Sequence, residues 1–183
     1  MAITFQAITN VKHPRFWETE RGFHGEFHAV LREILISERI IRYAGPILEQ
    51  EYQKSARHGL SQRPDSILHM PARQWGLKRY EGNFAVWALK RRSSEDEAKL
   101  DFERLDEMFD TLRYPLGFFL NVDSERTFAR VYRGQHAERI HCISCRLNAD
   151  GIFSLRHAQP KFGLPISKIT GRQRALRSNI RSE

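Results

Sequence analysis

The chain has 183 residues, the size of one ordinary domain, and 40% hydrophobic content with twelve phenylalanines can fill a core. Lysine and arginine outnumber the acids 30 to 22, giving a net charge of +8 and attracting polyanions, of which nucleic acid is the commonest large one. No apolar run approaches the roughly 20 residues of a membrane helix. The N-terminus, MAITFQAITNVKHPRFW, lacks the charged, apolar and small-residue regions of a signal peptide, so a cytoplasmic, soluble protein without a membrane partner is expected.

The first periodic stretch is GFHGEFHAVLREILISERIIRY, residues 22–43. Its apolar positions at 23, 27, 30, 31, 34, 35 and 41 form a helical stripe, closed by Gly45-Pro46. Glu26 falls near the first turn, beside the stripe. In RPDSILHMP, Ile67 and Leu68 predict a strand from about 65 to 70 that Pro71 ends. A polar connection, ARQWGLKRYEG, leads to GNFAVWALKRR, whose apolar content suits a central strand. These two strands are expected to pair as an antiparallel hairpin.

Ser94 and Glu97 make a capping box, and acids crowd the first turn behind them, where the helix dipole favours negative charge. Ala98, Phe102, Leu105, Phe109 and Leu112 continue as an amphipathic helix with an acidic outer face. YPLGFFLNVDS is then a strand entered through a β-α-β crossover. Two more strands follow, RIHCISCRL and GIFSLRHA, divided by a turn at residues 148–151. The end of the chain is basic, with Lys168, Arg172, Arg174, Arg177 and Arg181, and shows little apolar periodicity. The expected architecture is α/β, a mixed sheet flanked by helices. It forms one domain over 1–183, with a core of about 22–160 and a basic tail of about 161–183.

Cys142 and Cys145 form a single C-x-x-C on a predicted strand, where alternation sends the two sulfurs to opposite faces. Buried free thiols fit this better than a zinc or redox site, which needs converging ligands.

The chemistry gathers where the two hairpin strands end. Residues 86, 88 and 90 share a strand face, so an acid at 88 would stand beside Lys90 and across from Asp65. Two carboxylates there would make a hard-oxygen site for Mg²⁺ or Mn²⁺, with a lysine to position water or balance charge on a phosphate.

These residues resemble the PD-(D/E)XK nuclease superfamily, the restriction-endonuclease-like enzymes. Pro64-Asp65 and Lys90 match the motif, and Glu26 resembles the acid that many members carry on a helix before the first strand. The element order over roughly residues 22–124 is similar to the family's αβββαβ core, with the first strand unassigned. The resemblance implies a metal-dependent endonuclease that hydrolyses DNA phosphodiester bonds. It implies catalytic roles for Asp65, position 88, Lys90 and Glu26, and a metal held by Asp65, Glu26 and the Leu89 carbonyl. A homodimer would supply one site for each strand of a duplex.

Position 88, where the motif has Asp or Glu, is Ala88, and a methyl binds no metal. Three accounts arise: a substitution made to inactivate the enzyme, a naturally inactive nuclease-fold module that binds nucleic acid or a protein, or migration of the acid to a neighbouring element, with Glu103 as donor. The persistence of Asp65, Lys90 and Glu26 around the gap favours the first. Arg63, Arg91 and Arg92 flank the site as phosphate contacts, and Trp75, Lys78 and Arg79 in the hairpin connection are further nucleic-acid contacts.

Overall fold

The structure is a computed structural model that describes residues 1–50, 64–71, 76–78, 80–160 and, for the backbone alone, 167–172. Arg63, Trp75 and Arg79 lie outside the described residues, as do Arg174, Arg177 and Arg181.

Seven strands form one mixed sheet in sequential order: β1 (Ile47–Gln50), β2 (Ser66–His69), β3 (Asn83–Arg91), β4 (Gly117–Val122), β5 (Ile140–Leu147), β6 (Ile152–Ala158) and β7 (Ser167–Arg172). β1 to β3 are antiparallel neighbours, β3 to β5 are parallel, and β5 to β7 are antiparallel again. The expected hairpin and crossover are both present. β1 is a strand that the sequence did not predict, and β7 gives part of the basic tail a regular backbone. No helix among the described residues is long and apolar enough to cross a membrane.

One sheet face carries α1 (Ala2–Thr9) and α2 (Glu20–Ser37), which bury Ile8, Phe23, Phe27 and Leu31 against Trp87, Leu89, Phe118 and Ile143. Trp87 stacks on Phe118 and donates Nε1–H to Thr4 Oγ1 at 3.3 Å, so this aromatic packs in the core. The opposite face carries α3 (Glu95–Leu112), which buries Phe102, Leu105 and Phe109 against Val86 and Phe119. A Cβ at Gly117 would meet Phe109 Cζ at 2.5 Å, so only glycine lets α3 approach β4 this closely. Cys142 and Cys145 are buried free thiols that belong to the two different cores, as alternation requires.

α2 is shifted from the expected 22–43. It starts earlier because Thr19 caps it, with Oγ1 accepting from the Gly22 amide at 3.0 Å. It stops at Ser37, before Gly45-Pro46. Arg39 adopts a left-handed φ of 59°, and the Ile40 amide returns to the Leu35 carbonyl at 2.9 Å, closing the end as a Schellman turn. α3 keeps its capping box: the Glu97 amide donates to Ser94 Oγ and the Glu97 side chain accepts from the Ser94 amide.

Candidate active site

The β2–β3 ladder ends at the pair Ser66–Trp87, so the next residues, Asp65 and Ala88, stand opposite each other. Both point to the α3 side, with Ile67, Val86 and Lys90. In a strand the amide and carbonyl of one residue leave on the same edge. Val86 and Arg92 send their amides to the β4 side. Leu89 and Arg91 therefore face the edge that β2 has vacated. Two carboxylates fill that gap: Asp65 Oδ2 accepts from the Leu89 amide at 2.6 Å, and Glu20 Oε2 accepts from the Arg91 amide at 2.9 Å. The Leu89 carbonyl opens onto the same edge.

Behind Asp65, α2 holds the strand start. His24 Nε2 donates to the Asp65 carbonyl at 2.8 Å, and His28 Nδ1 pairs with Ser66 Oγ at 3.1 Å. Burial pushes the His28 imidazole down to about 4, helped by the charges of His24 and Arg32, so it is neutral at pH 7. Burial pushes the Asp65 carboxyl up to about 6, against the Leu89 hydrogen bond and the charges of His24 and Lys90, with Asp101 adding to the rise.

Asp101 is the residue that the sequence reading missed. It sits on α3 with only 4% of its surface exposed. Its Oδ1 accepts from Arg104 Nη1 at 2.9 Å, while the buried Oδ2 has no hydrogen-bond partner among the described residues. Burial raises its pKa, and Lys90 and Arg104 oppose the rise. Lys90, 29% exposed, thus lies in electrostatic reach of Asp65, Asp101 and Glu20; its Nζ is 3.7 Å from Glu20 Oε1. The signal for Asp101 was present in its spacing. It is three residues after Ala98 and four before Leu105, on the buried stripe of an otherwise acidic helix.

Several expected residues stand elsewhere. Glu26 is about 200° around the helix from His24 and makes no hydrogen bond or ion pair among the described residues. Glu20, one turn before His24, is the α2 acid that reaches Lys90. Glu103 faces away, lining an outer cavity of about 560 Å³ with Glu95 and Lys99. Ala88 is half-buried, its methyl packed against the α3-side core. Lys78 lies in the connection at the other end of the hairpin, seven residues along β3 or about 20 Å from the Lys90 end; its Nζ approaches the Tyr80 ring at 5.9 Å. Arg91 is fixed by Asp123 at 2.6 Å and by the Trp17 carbonyl at 3.1 Å, whereas Arg92 is largely exposed.

The register continues from Lys90 across the sheet as Asn121, Ser144 and Arg156. Asn121 is fully buried and ties the strand ends together. Its Oδ1 accepts from the Ser93 amide at 3.0 Å, and its Nδ2 donates to Ser124 Oγ and the Arg126 carbonyl.

Comparison with protein-family models, curated proteins and solved structures gives no match. Among the described residues, no three His, Cys, Asp or Glu side chains gather as a complete metal shell. The donors at hand are a smaller, hard-oxygen set: the Asp65 and Asp101 carboxylates and the Leu89 carbonyl. The orphaned Asp101 Oδ2 fits a cation, since a buried carboxylate oxygen without a donor is otherwise destabilising.

Proposed function

We propose that this chain is a metal-dependent phosphodiesterase of the PD-(D/E)XK kind, acting on DNA, with its second carboxylate supplied by Asp101 on α3. The observation that carries this reading is the unpartnered, buried Asp101 Oδ2 beside Lys90 and Asp65. Of the three accounts of Ala88, it supports migration of the acid, with Asp101 rather than Glu103 as donor. The order α2, β1, β2, β3, α3, β4 also follows the αβββαβ core of that family.

Asp65, Asp101 and the Leu89 carbonyl would hold Mg²⁺ or Mn²⁺; Mg²⁺ commonly takes one or two carboxylates and keeps several waters. When bound, the metal supplies Lewis acidity toward a phosphate oxygen and an activated water. The chain's own residues prepare the site. The Leu89 amide and His24 fix Asp65 in place. Lys90 orients a water for in-line attack and balances the charge that grows on the phosphate. Glu20 holds the Lys90 ammonium over the site from α2.

The second reading is a nuclease-fold module that binds nucleic acid or a protein without cutting, favoured by the apolar packing of Ala88. Incubation of single- and double-stranded DNA and RNA with the protein and Mg²⁺ or Mn²⁺ separates the two. Cleavage by the wild type that Asp65→Asn and Asp101→Asn each abolish supports the enzyme. No cleavage of any form under either metal leaves the binding module.

A further inference from the structure

Beside the candidate centre, three arginines from two strand ends converge on one carboxylate. Arg91 Nη2 and Arg92 Nε lie 2.6 and 2.8 Å from Asp123 Oδ2, and Arg146 Nε lies 4.0 Å from Oδ1. Asp123 is 15% exposed, while Arg92 and Arg146 are 65% and 53% exposed. One carboxylate among three guanidinium groups leaves positive charge unmatched. The Arg91 guanidinium is committed to the fold through the Trp17 carbonyl and Asp123. Arg92 and Arg146 approach Asp123 only through Nε, so their terminal nitrogens have no partner among the described residues. The Arg92 guanidinium, hydrogen-bonded at Nε, presents a pre-oriented fork of N–H donors suited to phosphate oxygens, and Arg146 is drawn toward the same carboxylate by charge at 4.0 Å.

The backbone adds a second observation. Arg92 and Asp123 occupy left-handed conformations, with φ of 52° and 55°. Aspartate tolerates that region, but a long side chain such as arginine is strained there, and glycine is the residue it favours. A side chain at such a position is held there by its surroundings, here by the Arg92 Nε–H bond to Asp123. Arg92 lies two residues beyond Lys90, and Arg146 two strands away on β5, about 10 Å across the sheet.

We propose that Arg92 and Arg146, held apart by Asp123, form a phosphate clamp for the polynucleotide strand, next to the Asp65–Asp101–Lys90 centre. The proposal rests on the nuclease reading. Arg92 takes a phosphate adjacent to the scissile one, and Arg146 takes one further along the same strand. Both contact backbone and not bases, so the grip is independent of sequence.

The test is binding of a fluorescein-labelled 20-nucleotide single-stranded DNA, read by anisotropy in EDTA over a salt series. Each phosphate contact contributes about 0.7 to the slope of log K against log salt for a single strand. The double variant Arg92→Gly/Arg146→Ser is expected to lower that slope by about 1.4, while Arg32→Ser, the same loss of charge on the outside of α2, leaves it unchanged. Glycine at 92 relieves the left-handed strain, so the thermal midpoint of Arg92→Gly should match or exceed that of the wild type, which separates lost contact from lost fold. A wild type that does not bind, a double variant with the wild-type slope, or an Arg32→Ser effect of equal size each overturns the clamp. Binding in EDTA needs no cleavage: a protein that binds through these arginines but never cuts retains the clamp and loses the nuclease reading.

Discussion

Asp65 Oδ2 takes the Leu89 amide at 2.6 Å, just past the point where β2 stops pairing with β3. A side-chain carboxylate thus finishes the ladder that the backbone leaves open, and it does so in a buried place that raises its pKa from an ordinary 3.8 to about 6. The folded chain therefore binds this proton more tightly than the unfolded chain does. The Asp65 contribution to stability is fully present below about pH 4 and is lost as the pH rises to about 6. Asp65→Asn keeps an oxygen for the Leu89 amide and removes the charge. It should match the wild type near pH 4 and exceed it above pH 6 by on the order of 2 kcal/mol, or about 4–8 °C in Tm, while hydrolysis is lost. Superimposable melting curves at pH 8 would refute the buried-charge account.

Asp101 carries the same tension with a free oxygen in addition. Its neutral amide, in Asp101→Asn, should leave metal-free stability equal to or above the wild type at pH 7.5. The decisive readout is metal linkage. Mn²⁺ at ten times its dissociation constant should stabilise the wild type by about 1.4 kcal/mol. That gain should vanish in Asp101→Asn and Asp65→Asn and survive in Glu103→Gln and Glu26→Gln. Retention of the full Mn²⁺ shift in Asp101→Asn would sink the assignment of the second carboxylate.

The contrast between Asp101 and Glu26 shows what the sequence could carry. Strand alternation places Ala88 and Lys90 on one face from sequence alone, because a period of two tolerates no drift over so few residues, and the β2–β3 register sets Asp65 opposite Ala88. The helical acids are harder. The start of α2 depends on the Thr19 cap, and moving it back admits Glu20, the acid that reaches Lys90. On α3 the apolar stripe draws attention to Phe102 and Leu105, and an acid within the stripe is read as part of the charged outer face. β1 escaped notice because its four residues are half-buried or exposed and show no alternation. The arginine cluster joins residues 91, 92, 123 and 146 through sheet register, and no local spacing announces it.

Ala88 is the position where a carboxylate can be returned. Its methyl packs against the apolar α3-side core, directly opposite Asp65 and on the strand face of Lys90. A glutamate there would bring a third negative charge toward Asp65 and Asp101 without a new cation. Ala88→Glu is therefore expected to lower metal-free stability by about 2–4 kcal/mol, as an unpaired buried charge does. Mn²⁺ should recover most of that loss, and DNA cleavage with Mn²⁺ should exceed that of the wild type. Unfolding that Mn²⁺ fails to reverse, together with no gain in cleavage, would show that position 88 does not face the metal.

On the other side of the sheet, His141 Nδ1 and His157 Nε2 lie 3.0 Å apart, with Phe118 stacked on one ring and Phe5 edge-on to the other. One imidazole donates and its partner accepts, so at least one of them must be neutral. Burial lowers both pKa values, His141 to about 4, with the charge of its neighbour His157 adding to the effect. Here the unfolded chain binds the proton more tightly, so stability rises from about pH 4 to 6.5, opposite in sign to Asp65 over nearly the same window. The two slopes partly cancel in the wild type, and only variants resolve them. His141→Gln keeps a polar partner for His157 and removes one titration. After allowance for partial exposure, it should gain on the order of 1–2 kcal/mol relative to the wild type on going from pH 7 to pH 4. Urea midpoints for the two proteins at pH 4, 5.5 and 7 give the answer: a constant difference across that range would mean that His141 takes up its proton equally in the folded and unfolded chain, and would refute the buried-imidazole account.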